Sequence, residues 1–153
     1  MGPDMSDATP TAWLPDLSGL NVLVIEDDED GRNILVQVLQ AAGATVTSCP
    51  DAHAALRKLN QQLRPDVVVC DLAMPRMDGL TFLHALRAHP DPATRRIPMI
   101  AVTAYDEFYS PMQLLTLRCE AYMVKPLSLE RLCRAIEKLA AQAAAGREES
   151  DAA

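Results

Sequence analysis

The chain has 153 residues, enough for one hydrophobic core of ordinary size, and 49% of them are hydrophobic, as in globular domains. A formal net charge of −7 excludes a surface built to neutralise nucleic-acid phosphates, which needs clustered Lys and Arg. No stretch reaches the apolar length of a membrane span and no charged-then-apolar signal segment opens the chain, so the cytoplasm is the expected location.

Residues 1–19 carry Pro3, Pro10, Pro15, Gly2 and Gly19 and read as a flexible extension, with docking of Trp13 and Leu14 left open. The first strand spans about 21–26, and a helix follows with Ile34, Leu35, Val38, Leu39 and Ala42 on one face and Gly43 as its stop. A short strand from Ala44 to Cys49 leads to Asp51, the cap of a helix whose apolar side is Ala55, Leu56, Leu59 and Leu63. The third strand is 66–71, and after a loop bounded by Pro75 and Gly79 a third helix shows Leu80, Leu83 and Leu86.

That helix stops near His89-Pro90-Asp91-Pro92, and Met99 to Thr103 is the fourth strand. Ser110-Pro111 opens a fourth helix through about Arg118; the fifth strand is Ala121 to Val124; and Ser128 caps a fifth helix with Leu132, Cys133, Ile136 and Leu139 inside. The domain is expected over 20–140, with 141–153 as a frayed tail. Cys49, Cys70, Cys119 and Cys133 form no C-x-x-C pair and fall in predicted strands or helices, the placement of reduced core fillers.

Alternating strands and helices imply right-handed crossovers and a parallel sheet covered on both faces. The expected fold is α/β, a flavodoxin-like doubly wound sheet of five strands in the order 2-1-3-4-5 with five helices. That order makes the first and third strands neighbours, and both end in acids. The run Val67-Val68-Val69-Cys70 delivers Asp71 to a strand tip, and Val22-Leu23-Val24-Ile25 ends in Glu26-Asp27-Asp28-Glu29-Asp30.

Three carboxylates, Glu26, Asp27 and Asp71, therefore converge, and such a cluster is tolerable only with a cation. Hard oxygen ligands without Cys or His describe a Mg²⁺ site better than a zinc site. Thr103 and Lys125 end or follow the fourth and fifth strands, so the same sheet edge gains a hydroxyl and an ammonium suited to the oxygens of a phosphoryl group on Asp71. Pro126 stops the fifth strand from continuing.

With these residues the chain resembles the receiver domain of two-component response regulators, of the single-domain chemotaxis type, over about 20–140. The resemblance rests on Glu26-Asp27, on Asp71 within a D-x-x-M-P-x-M-D-G-L stretch, on Thr103-Ala104 and on Lys125-Pro126. It implies that Asp71 accepts a phosphoryl group from a phosphohistidine on a sensor histidine kinase or phosphotransfer protein. It also implies that Glu26, Asp27, Asp71 and the carbonyl of Ala73 hold Mg²⁺, while Asp28 points away. Thr103 and Tyr122 match the switch positions, the threonine closing on the phosphoryl group and the aromatic ring swinging in behind it.

Such a protein is a signalling phosphoacceptor and not an enzyme with turnover: it catalyses its own phosphorylation and slow dephosphorylation. Its output is contact with a downstream protein, and the fourth helix, fifth strand and fifth helix form the face through which it would do so or form a homodimer. Leu114, Leu115 and Leu117 hint at spare apolar surface there.

The chain departs from the family pattern at Arg118, where a glycine ordinarily ends the fourth helix; either a left-handed arginine there costs about 1 kcal/mol, or the loop takes another shape. Tyr105 and Ala73 flank the route of water to the phosphoryl group, and their sizes imply slow hydrolysis. A haloacid dehalogenase-type phosphatase needs a second acid where Ala73 stands, and a flavin site is repelled by Glu26 to Asp30. The remaining alternative is a receiver-like interaction module that binds partners without phosphorylation.

Overall fold

The computed structural model describes residues 14–74, 77–104 and 118–152. The elements, in chain order, are β1 (Asn21–Ile25), α1 (Glu29–Ala41), β2 (Thr45–Cys49), α2 (Ala52–Asn60), β3 (Val67–Asp71), α3 (Gly79–Arg87), α4 (Pro92–Arg95), β4 (Met99–Thr103), β5 (Ala121–Val124) and α5 (Leu129–Ala152). All strand pairs are parallel, and the order is β2-β1-β3-β4-β5, as the alternation of strands and helices predicts. The register sets Ile25 beside Cys70 and Asp71 beside Val102, so the carboxyl ends of β1, β3 and β4 lie level.

Every residue of β3 and β4 is buried, which is why these strands read as unbroken apolar runs rather than alternating ones. Alternate side chains still feed two separate cores. Val68, Cys70, Met99 and Ala101 meet Ala55, Leu59, Phe82, Leu83 and Leu86 from α2 and α3 on one face. Val67, Val69, Ile100 and Val102 meet Leu35 and Leu39 of α1 and Leu132, Cys133 and Ile136 of α5 on the other.

Helix starts follow side-chain chemistry. Asp28, Asp51, Asp78 and Asp91 each sit one residue before α1, α2, α3 and α4 and accept a hydrogen bond from a backbone N–H of the first turn, while the Ser128 hydroxyl accepts from Arg131 at the start of α5. The four cysteines are all buried thiols, as expected. No helix among the described residues is long and apolar enough to cross a membrane.

Several expectations need correction. Ile34 is 54% exposed, because the buried stripe of α1 runs through Leu35 and Leu39 and turns Ile34 outward. Leu63 is not part of α2, which ends at Asn60; Gln62 at φ +73° turns the chain so that Leu63 packs half-buried from the loop. The segment 92–95, expected as loop, is the short helix α4, opened by Asp91 as cap and Pro92 in its first turn. Leu17, assigned to the extension, is fully buried, and α5 continues through the residues expected to fray. The helix expected from Ser110 lies outside the described residues.

Arg118 does adopt the left-handed conformation, at φ +60°. Its carbonyl accepts hydrogen bonds from Nε and Nη2 of Arg87 at 3.2 and 2.7 Å. The same guanidinium donates through Nη1 to the carbonyls of Arg95 and Ile97 at 2.9 and 2.7 Å and pairs with Glu120, whose Oε2 accepts from Met99 N. One cation thus ties α3, α4, β4 and the entry to β5, which offsets the strained arginine.

Arg87→Ala is expected to lower stability by about 3 kcal/mol, because it takes the cation from Glu120 and the side-chain donor from three carbonyls. Arg118→Gly keeps the carbonyl and removes the strain, and is expected to raise stability by about 1 kcal/mol. Urea unfolding of both variants reads the two signs.

Candidate functional site

Glu26 follows β1 directly and is buried with its N–H bonded to the carbonyl of Cys49 at 3.1 Å. Asp71, the last residue of β3, is also buried, and the backbone N–H of Ala73 donates to its Oδ1 at 3.0 Å. Asp27 is exposed beside them, and carboxylate oxygens of Glu26, Asp27 and Asp71 lie within 4.8 Å of one another. Asp28 does turn away, its carboxylate engaged by Gly31 N at 2.8 Å.

Lys125 reaches into this cluster from the end of β5. Its Nζ stands 3.3 Å from Oδ2 of Asp71 and 3.3 Å from Oε2 of Glu26. Its backbone N–H donates to the carbonyl of Thr103 at 2.7 Å, which couples the ends of β4 and β5. Thr103 is buried, and Ala104 after it is exposed. Tyr122 is half-buried on β5 opposite Ala101, its ring against the core of α2 and α3.

Electrostatics record the crowding. Burial, followed by the charge of Asp71, pushes the Glu26 carboxyl up to about 7, although Lys125 works in the opposite direction. Burial works to lower the Lys125 ammonium, but the charges of Asp71 and Glu26 outweigh it and hold the group above its ordinary value. One half-exposed ammonium therefore leaves the acids under-compensated. The donor set is made only of hard oxygens, and it fits Mg²⁺, with Glu26, Asp27 and Asp71 as the residues able to hold it.

Two contributors escaped the sequence reading. Arg32 of α1 donates from Nη1 to the carbonyl of Glu26 at 2.8 Å and fixes the acidic turn. Gly79 closes the loop after β3, its N–H donating to the carbonyl of Leu72 at 2.9 Å. A Cβ on Gly79 would lie 2.6 Å from the carbonyl oxygen of Asp71 and 2.7 Å from Cα of Leu72, so no side chain fits. The Asp78-Gly79 pair was the available signal: a helix cap followed by glycine in the first turn marks a close backbone approach. Met74 and Met77 pack against the core beneath this loop.

A doubly wound parallel sheet with an acid cluster and a lysine at its switch point defines a class of signalling receiver. The response regulator receiver domain family matches residues 22–137, and the chain belongs to that family. It is 35% identical over 122 residues to an uncharacterised 14.6 kDa protein of Leptolyngbya boryana, a match covering 80% of this chain and 91% of that one. It is 33% identical over 118 residues to the regulatory protein AtoC of Escherichia coli, covering 76% of this chain but 24% of AtoC.

Among solved structures, a Francisella response regulator receiver domain superposes with a TM-score of 0.73 at 27% identity, covering 81% of this chain and 98% of that one. The receiver domain of a Pseudomonas aeruginosa sensor histidine kinase, with magnesium coordinated in its active site cleft, superposes at 0.71 and 26% identity, covering 81% and 99%.

Gly79→Ala is expected to displace the backbone of Asp71 and Leu72 and to lower stability by about 2 kcal/mol, within the range for overpacking a tight site. Chemical unfolding, together with the amide chemical shift of Ala73, reads both effects.

Proposed function

We propose that Asp71 is a phosphoacceptor that takes a phosphoryl group from a phosphohistidine of a sensor histidine kinase or phosphotransfer protein in a Mg²⁺-dependent reaction. The observation that carries this reading is the ammonium of Lys125, 3.3 Å from a buried Asp71 and equally close to Glu26. A buried nucleophile is thereby held beside a cation that can follow the charge as it moves. The Ala73 amide donates to Asp71 Oδ1 at 3.0 Å and so fixes the orientation of the carboxylate.

In the transfer, a carboxylate oxygen of Asp71 forms the new P–O bond and the P–N bond to the donor histidine breaks. Its electron pair returns to the imidazole, which is restored to the neutral form by taking up a proton. Lys125 and the hydroxyl of Thr103 receive the phosphoryl oxygens. Glu26, Asp27, Asp71 and the Ala73 carbonyl would hold Mg²⁺, which would supply the positive charge that one lysine does not. The product carries about −1.5 to −2 added charge at the tip of β3, and Thr103 and Tyr122 are the residues placed to register it. The signal then passes by contact to a downstream protein or a second copy.

Incubation with Mg²⁺ and acetyl phosphate is expected to add the mass of one phosphoryl group, and Asp71→Asn to abolish the gain. Lys125→Ala is expected to slow labelling by about 10²-fold, the loss typical of one preorganised electrostatic partner. No mass gain under conditions that label other receivers would favour a module that binds partners without phosphorylation.

The methyl of Ala73 cannot orient a water at the phosphoryl group, so a phosphoryl lifetime of minutes or longer is expected. A half-life of seconds in Mg²⁺ buffer would overturn that part.

A further inference from the structure

We propose that a cavity at the end of the sheet opposite the acidic site is the docking site for the chain's own N-terminal segment, with Trp13 as the residue that enters it. The cavity measures about 790 Å³, within the range of sites that take a small ligand or a few side chains. It opens at the amino ends of β3 and β4, far from Asp71 and Thr103. Pro65, Pro92, Ile97 and Pro98 form apolar walls, and α5 closes one side with Ala143 and Gly146. A Cβ on Gly146 would meet nothing within 4 Å, so this wall is bare backbone over open space.

The chain itself leads to this place. Leu14 packs against the core of α1 and α5, and Leu17 is fully buried within it, its N–H donating to the carbonyl of Ala42 at 2.8 Å. Ser18 lies against Gly43, whose φ of +108° and lack of Cβ make room for it. Asn21 N donates to Asp66 Oδ2 at 2.8 Å, and Asp66 is a wall of the cavity. On the other side, Ala140 belongs to the core that holds Leu14, and Ala143 is one turn further along α5. Trp13 is the residue next to Leu14 in the chain, and successive turns of a helix are about 5.4 Å apart.

The chemistry also matches. Trp13 is the only tryptophan of the chain, a large apolar ring whose indole N–H needs an acceptor when buried. Asp66 and Asp91 place carboxylates in the same walls that the prolines make apolar. Arg96, exposed at the rim, supplies a cation for a segment whose charged side chains are Asp4 and Asp7.

Because Trp13 is alone, its fluorescence in the full chain reports the proposal directly. Emission is expected to be blue-shifted from that of the urea-unfolded chain, with acrylamide quenching several-fold weaker. Ala143→Arg, which puts a charged chain into the cavity, is expected to return both toward the unfolded values while circular dichroism stays unchanged. Should that variant fail to fold, a nuclear Overhauser contact between the Trp13 indole and the methyl of Ala93 or Ala143 in the unaltered chain supports the proposal. Absence of that contact counts against it. Solvent-like emission from the unaltered chain overturns the proposal and leaves the cavity to a small molecule or a partner peptide. Buried emission that Ala143→Arg leaves unchanged overturns it too, since Trp13 then docks elsewhere.

Discussion

Repulsion between buried carboxylates is the constraint on which the rest of the structure depends. Charges separated by the 4.8 Å that bounds the Glu26, Asp27 and Asp71 oxygens repel by about 3.5 kcal/mol at an effective dielectric constant of about 20. Lys125 offsets part of this, but it is 36% exposed and water weakens its field. The Glu26 carboxyl is still pushed up to about 7, so the neighbourhood is short of positive charge even with the lysine in place. A hard cation would answer that shortage.

Holding such a cluster requires a scaffold that does not yield. Both acid-bearing strands are flanked by neighbours in the parallel sheet, and β3 is buried along its whole length. The loop after β3 is fixed by Gly79 against the backbone of Leu72, and the acidic turn after β1 by the Arg32 guanidinium. At the far end of the sheet a second cation, Arg87, collects the carbonyls of Arg95, Ile97 and Arg118. Electrostatics thus set both ends of the sheet, by tension at the carboxyl end and by a closed network at the amino end.

Much of this was legible in the chain. Apolar runs that end in acid or lysine locate strand tips, and the order of a doubly wound sheet brings those tips together without any knowledge of contacts. What escaped was of three kinds. Gly79 acts through a close backbone approach, which leaves no trace in hydrophobic periodicity. The helix α4 is a single turn, too short for a periodic signal, although Asp91-Pro92 carried the same cap-and-proline signature that was read at Ser110-Pro111. Leu17 and the later part of α5 were masked by composition. Prolines around one buried leucine suggested an extension, and Gly146 with its charged neighbours suggested fraying where alanine propensity sustains the helix.

The position of Arg118 bears on how a change at Asp71 would travel. Thr103 and Lys125 are joined by a 2.7 Å backbone hydrogen bond, which couples the backbone at the ends of β4 and β5. Between Thr103 and β5 the chain passes through 105–117 and returns at Arg118, where Arg87 grips the carbonyl with two N–H groups. One end of that connection is therefore tied to the site, and the other to the rigid end of the sheet. A pull on Thr103 cannot be absorbed by sliding β5 past β4, because the Arg87 network and the Thr103–Lys125 bond hold the pair at both ends. Tyr122 is the half-buried ring between these two fixed points.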